Sequence, residues 1–275
     1  MLVTLNELLP EAADSASAVA CINVFGFEDA RAILDAAETL NRPVILATNK
    51  DMVDLLGVES LAGMLAPMAR ASSAKVCLHL DHTYEEAIVY KAMQSGFSSV
   101  MFDGSQLSLD ENIRRSKQVS VVAEAFGISL EGEIGSVPYE EGRDHIKSIH
   151  TEPEQAQRFA VESGINAVAV AVGNVHRLTS PTCTIDYARL AEIEKLVEIP
   201  LVIHGTTGIP EADITQLKQT QVSKFNVGTS MRMVVGKHLR EAMQTEPEQF
   251  DRSYFMRQIM PAMREEAMRI IQVLT

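Results

Sequence analysis

KVCLHLDHTYEEAIVYKAMQSGFSSVMFDGS, residues 75–105, holds two short strand-like runs with a helical pattern between them. Val76 to Asp81 and Ser99 to Phe102 are apolar and β-branched, while Tyr84 to Gln94 repeats its apolar residues at helical spacing. A strand, a helix and a second strand in about 30 residues make a unit that joins parallel strands. The same alternation extends in both directions. Further strand candidates are Ala18 to Phe25 and Val44 to Ala47 before it, and Ser129 to Glu133, Ala167 to Val172, Leu201 to His204 and Lys224 to Val227 after it. Helical patterns follow them, as at Asp110 to Phe126, Asp186 to Val197 and Glu211 to Leu217. Eight such units predict an α/β protein, a (β/α)8 TIM barrel.

No Pro/Gly/Ser-rich linker or close repeat divides the chain, so residues 1–275 read as one barrel domain. The segment Asp251 to Leu274 has helical spacing suited to packing on it. The longest stretch without periodicity runs from Gly135 to Thr151; a loop of that length in a compact domain is expected to be a lid.

Lys plus Arg number 24 and Asp plus Glu 37, a net charge of -13. Clustered basic residues hold long polyanions, so nucleic acid is not an expected partner, although a local pocket for a small phosphate is compatible with this balance. No run approaches the roughly 18 apolar residues of a membrane helix, so no membrane partner is expected. The start, MLVTLNELLPEAADSA, carries acids where a secretory leader carries positive charge, which reads as cytoplasmic. Cys21, Cys77 and Cys183 have no metal or disulfide spacing and are expected to be reduced, half-buried thiols.

Reactive groups of a barrel gather at the C-terminal ends of its strands. Polar residues do so here: Asn23, Asn49, Asp81 and His82, Asp103, Glu131 and Glu133, His176, His204 and Asn226. Any one histidine is more often a core or surface residue than a ligand. Three at separate strand ends, His82, His176 and His204, form the pattern of a catalytic zinc site with one open position. His145, His150 and His238 fall on the loop or an outer helix and are expected in solvent, and His79 is expected to be packed.

HLDHTYEEA (79–87), MFDGS (101–105), LEGEIG (130–135), VAVAVGNVH (168–176), LVIHGTTGIP (201–210) and KFNVGTS (224–230) resemble the motifs of class II, zinc-dependent fructose- and tagatose-bisphosphate aldolases. The resemblance covers nearly the whole chain, with its motifs in family order. It implies cleavage of a ketose phosphate to dihydroxyacetone phosphate and an aldehyde, with one zinc ion per subunit and room for a monovalent cation. It makes His82, His176 and His204 the metal ligands and Asp81 the base, a residue that could instead only orient a histidine. It places Glu141 as the lid group that reprotonates the enediolate and Asn226 as a donor to its oxygen. Asp103 and Glu133 then steady a histidine or contact the metal at an alternate position.

The resemblance also implies a phosphate and substrate cradle from Asn23, Asn49, Gly173, Gly205, Thr207, Gly228 and Thr229. Arg232 matches an arginine that reaches the distal phosphate of a neighbouring subunit's substrate, and a homodimer or homotetramer is expected. Departures are Arg177 where the family has glycine, Ser180 for a lysine, Asn49 for Ser or Thr, and Gly228 for the aspartate of fructose-type enzymes. The last leans towards a tagatose-type substrate. Two other readings compete. A non-catalytic aldolase-like subunit stabilising a partner enzyme would be expected to have lost ligands, and an amidohydrolase would show an HxH pair where Cys21-Ile22-Asn23 stands.

Overall fold

The computed structural model describes residues 1–140 and 148–275. Its strands are β1 (Val19–Asn23), β2 (Val44–Thr48), β3 (Val76–Thr83), β4 (Ser99–Phe102), β5 (Ser129–Ile134), β6 (Ala167–Val170), β7 (Leu201–Ile203) and β8 (Val222–Val227). They lie side by side in chain order, and β8 pairs in parallel with β1 to close the barrel. The expected strands coincide with these to within a few residues at each end. The helices among the described residues are α1 (Leu5–Asp14), α2 (Phe27–Leu40), α3 (Lys50–Leu56), α4 (Val58–Ala71), α5 (Glu86–Ser95) and α6 (Leu109–Phe126), followed by α7 (Pro153–Ser163), α8 (Tyr187–Leu196), α9 (Glu211–Leu217), α10 (Thr229–Thr245) and α11 (Arg252–Leu274).

Side chains alternate across a strand, and that alternation sorts the core into two bodies. Outward residues such as Ile22, Leu46, Leu78, Val100, Leu130, Val168, Ile203 and Phe225 join the layer beneath the helices. Inward residues Val19, Cys21, Ile45, Ala47, Cys77, Met101, Ala167, Ala169 and Val202 fill the barrel's lower interior together with Leu5, Leu8, Leu9 and Ala12 of α1. Helix α1 therefore plugs the N-terminal mouth. Thr4 starts it, its N–H donating to Glu7 Oε2 at 2.8 Å, and the Leu5 N–H donates to Ser129 Oγ on β5 at 2.9 Å. Full burial of each leucine stabilises by about 1.5–3 kcal/mol.

The three cysteines are free and all buried, Cys21 and Cys77 completely, rather than half-buried as expected. They lie on or beside the barrel wall, where a small apolar side chain is what the packing takes. With the lower barrel filled by apolar residues, the polar ones at the upper strand ends face one shared mouth.

Candidate active site

Strand alternation alone would turn His82 outward, because Asp81 before it points inward. The register of β3 against β4 shifts between Leu80 and Thr83, and His82 adopts φ +41°. This bulge brings two successive side chains to the same face. The cost of a positive φ at a non-glycine residue is of order 1–3 kcal/mol, and such strain gathers at functional sites.

His82, His176 and His204 offer ligand atoms that all lie within 4.8 Å of one another. Their rings are edge-on, with centroids 4.6 to 5.6 Å apart. His82 Nδ1 lies 2.9 Å from Asp103 Oδ2, and His204 Nε2 lies 3.0 Å from Glu131 Oε1. An ionised carboxylate only accepts, so each of these outer nitrogens is the donor, and each inner nitrogen has a lone pair to offer once its ring is neutral. The inner pair, His82 Nε2 and His204 Nδ1, are 2.8 Å apart. Two imidazoles oriented by carboxylates and aimed at one point, with a third beside them, fit a divalent ion that takes nitrogen ligands. Burial would lower His82, but Asp81 and Asp103 outweigh it and push the ring up to about 9. A divalent ion held by these histidines would compete with that proton.

Asp103 and Glu133 stand behind His82, both buried, at 2.9 and 3.8 Å from its Nδ1. With His82 they form a second group able to hold a metal. Burial, then the neighbouring Asp103, holds Glu133 well above the usual carboxylate range. Burial would also raise Asp103, but the His82 hydrogen bond outweighs it and lowers the group.

Asp81 is buried at the floor of the mouth. Its Oδ1 accepts from Asn226 Nδ2 at 3.0 Å and its Oδ2 from Asn23 Nδ2 at 3.1 Å. Burial would raise it, but His82, His204 and Lys224 lower it overall, so it is ionised. Asn23 reaches it by using the space above Gly228, where a Cβ would lie 2.5 Å from Asn23 Oδ1. Beneath this layer His79 is packed as expected, its Nδ1 2.8 Å from Ser99 Oγ, and burial pushes it down to about 3, uncharged.

One pocket is lined by Asn23, Asn49, Asp81, His82, His176, Arg177, His204, Gly205, Thr207, Asn226, Gly228, Thr229 and Arg232, so most of the predicted site residues come together. The turn after β7 and the start of α10 form one wall, tied by the Ser230 N–H donating to Thr207 Oγ1 at 3.2 Å. Backbone N–H groups at a helix N-terminus suit an anion there. Asn49 caps α3, accepting from the Met52 N–H at 3.2 Å. Arg232 faces this chain's own pocket, over the Phe25 ring at 5.5 Å and donating to Thr229 Oγ1 at 3.2 Å.

Gly173 is not among the residues that line this pocket. Its φ is +100°, and a Cβ there would lie 2.2 Å from the Thr184 carbonyl oxygen, so the glycine serves a close backbone crossing. Glu141 and His145 lie outside the described residues. His150 is exposed, and His238 lies 3.3 Å from Glu241.

Sequence reasoning missed two residues. Tyr139 stacks on the His176 ring at 4.4 Å and lies beneath the Arg177 guanidinium at 5.4 Å. Its one signal was an aromatic in an otherwise polar loop. Lys224 is wholly buried inside the barrel, 2.8 Å from Glu131 Oε2, and a lysine at an inward strand position was that signal. Arg177 adopts φ +64° and reaches Asp51 at 3.3 Å, so it spans the mouth from the loop after β6 to α3.

The structure is similar to the crystal structure of the YdjI aldolase from Escherichia coli K12, at 27% identity and TM-score 0.88, covering 100% of this chain and 97% of that one. It also shares its fold with the fructose-bisphosphate aldolase Fba of Campylobacter jejuni, at 23% identity and TM-score 0.85, covering 99% and 95%. The family model for class II fructose-bisphosphate aldolase matches residues 3–275. With that match over almost its whole length, the chain belongs to the class II fructose-bisphosphate aldolase family.

Proposed function

We propose that the protein is a zinc-dependent aldolase that cleaves or forms a ketose phosphate or bisphosphate, with dihydroxyacetone phosphate and an aldehyde as the other side of the reaction. Class II aldolases depend on a metal and act on phosphorylated sugars. The observation that carries the reading is the convergence of three imidazoles beside an ionised Asp81 whose two oxygens are both held by amides. Zinc is the choice because three nitrogen ligands with an open position suit it. When bound, such an ion polarises the substrate's carbonyl oxygen.

The rest falls to the chain itself. Asp81 takes the proton from the hydroxyl on the aldehyde side, the adjacent carbon–carbon bond breaks, and its electron pair moves towards the ketone as an enediolate. Asn226 donates to the oxygen on which charge gathers. Glu141, assigned by its place in the motif, returns a proton to carbon. The N-terminus of α10 with Gly205, Thr207, Gly228 and Thr229 receives the phosphate, with Arg232 beside Thr229, while Arg177 stands at the rim of the mouth. A tagatose-type sugar is favoured over a fructose-type one. Asn23 fills the space an acid at position 228 would need, which removes one partner for a sugar hydroxyl, and a polar group left unpaired in a closed site costs about 1–3 kcal/mol.

The test is a panel of tagatose and fructose bisphosphates and ketose 1-phosphates, with triose phosphate formation coupled to NADH oxidation. Chelator-sensitive cleavage restored by zinc is expected. Cleavage that resists a chelator would refute the metal role, and no cleavage of any ketose phosphate by the zinc-loaded protein would refute the activity.

A further inference from the structure

Lys224 is the group whose burial the roles above do not explain. It is fully enclosed, with Nζ 2.8 Å from Glu131 Oε2 and donating to Asn226 Oδ1 at 2.6 Å. The other oxygen of Glu131 holds His204, and the other end of the Asn226 amide holds Asp81. One ammonium thus stands between the partner of a metal ligand just after β7 and the partner of the base on β3.

The chemistry of the two ends is asymmetric. An ammonium has donors only, and a carboxamide has one accepting and one donating end. With Lys224 on one side and the Asp81 carboxylate on the other, Asn226 has one stable orientation, oxygen down and NH2 up. Turning the amide over would set NH2 against ammonium and oxygen against carboxylate, two repulsions in a low-dielectric interior. Residues 224 and 226 share a strand face, which is why the lysine lies beneath the amide. The ammonium is enclosed and ion-paired below the mouth, so it is not placed to attack a carbonyl.

We propose that Lys224 is a positioning residue: its ammonium locks the Asn226 carboxamide with the N–H groups turned to Asp81 and the substrate, and Glu131 holds that ammonium in place while orienting His204. The inference rests on the roles proposed above for Asn226 and Asp81. A lysine that only neutralised Glu131 would leave Asn226 to act alone, and this is what an experiment can separate.

Lys224→Met alone strands a buried carboxylate and can fail to fold. Glu131→Gln with Lys224→Met removes both charges, keeps an acceptor for His204 and removes the donor from Asn226. Zinc-loaded wild type, this double variant, Asn226→Ala and the triple variant are compared. The readouts are zinc affinity, by competition with a chromophoric chelator, and exchange of the dihydroxyacetone phosphate carbon proton with D2O, followed by NMR. Exchange reports enediolate formation without any aldehyde.

Asn226→Ala is expected to slow exchange by about 10²-fold or more, as for loss of an oxyanion donor. The double variant should slow it similarly while holding zinc within about threefold of wild type. Asn226→Ala added to the double variant should then cost less than about threefold, because the two changes act through one group. Wild-type exchange in the double variant, or the full Asn226→Ala loss on top of it, would overturn the proposal. No effect of Asn226→Ala in wild type would overturn it by removing the role of Asn226, and no exchange by wild type would refute the aldolase reading itself.

Discussion

Gly205 follows the proposed ligand His204 and lies against the loop that carries the proposed ligand His176, so a single methyl group there tests whether the candidate metal cluster depends on that backbone contact. A Cβ at Gly205 would lie 2.3 Å from the Val175 carbonyl oxygen and 3.2 Å from the His176 nitrogen. An ordinary contact is longer by about 1 Å, and a displacement of about that size at a reacting centre costs about 10²-fold in rate. The glycine also has φ +72°, which costs an alanine about 1–2 kcal/mol. Gly205→Ala should therefore lose about 3 kcal/mol in urea denaturation, weaken metal binding at least about tenfold and lower kcat/KM by about 10²-fold. Gly127→Ala is the matched control, because Gly127 has φ +66° with nothing within 4 Å of its Cβ position. It should lose about 1 kcal/mol and keep full turnover. If the two variants lose the same stability and both keep wild-type turnover and metal affinity, the contact between the two ligand-bearing segments does not set the geometry.

Asp81→Asn should lower kcat by about 10²–10⁴-fold while the protein keeps its metal, and His204→Ala should lose both; equal metal loss in the two variants would contradict the roles given. Dialysis against a chelator should abolish turnover, and zinc should restore it. Because His82 sits at about 9, competition titrations should show metal affinity rising as pH climbs towards that value, and a flat profile would count against His82 as a ligand. Asp29→Asn should stabilise the fold at pH 8 but not near pH 3.5. Burial pushes Asp29 up from 3.8 to about 6, so the native state binds the proton more tightly; stability is fully present below the lower value and falls as pH rises through the higher one. The gap of about two units corresponds to about 3 kcal/mol, readable as a pH-dependent Tm difference.

The barrel was legible because each strand carries its own signal: a short apolar run ended by a polar residue, then a helical pattern. The histidine cluster was legible for the same reason, since His176 and His204 follow strands. His82 is different. Its place depends on a bulge against β4, a pairing feature that the periodicity of β3 does not contain. Lys224 reads as a charge in a strand, and only the closed barrel shows that Glu131 faces it from β5. Gly173 shows a limit of the letters: only the structure reveals the close backbone crossing it serves, since a glycine for a crossing and one for a phosphate turn read the same. The plug α1 has a helical stripe of leucines, but what it covers follows only from the open N-terminal mouth.

Two of the four described non-glycine residues with positive φ, His82 and Arg177, are in the pocket, and the backbone around them explains why they hold. His82 is held through Asp103 and the β4 pairing, so its strain is set against a buried carboxylate hydrogen bond. Arg177 follows His176, whose N–H donates to Pro138 O at 2.8 Å and whose carbonyl accepts from the Glu140 N–H at 3.0 Å. That clamp, with Tyr139 stacked on the ring, fixes His176, a proposed metal ligand, through both its backbone N–H and its carbonyl. On the proposed roles, the site is thus rigid where a metal would be held and polar where a sugar would enter. Those needs are met by different parts: buried carboxylates and the Lys224 ammonium below, and backbone N–H groups and arginines above. A substitution below the mouth should therefore act first on metal affinity or kcat, and one at the rim, such as Arg177→Ala, on KM. A change in kcat alone for the rim variant would show that the two layers are not independent.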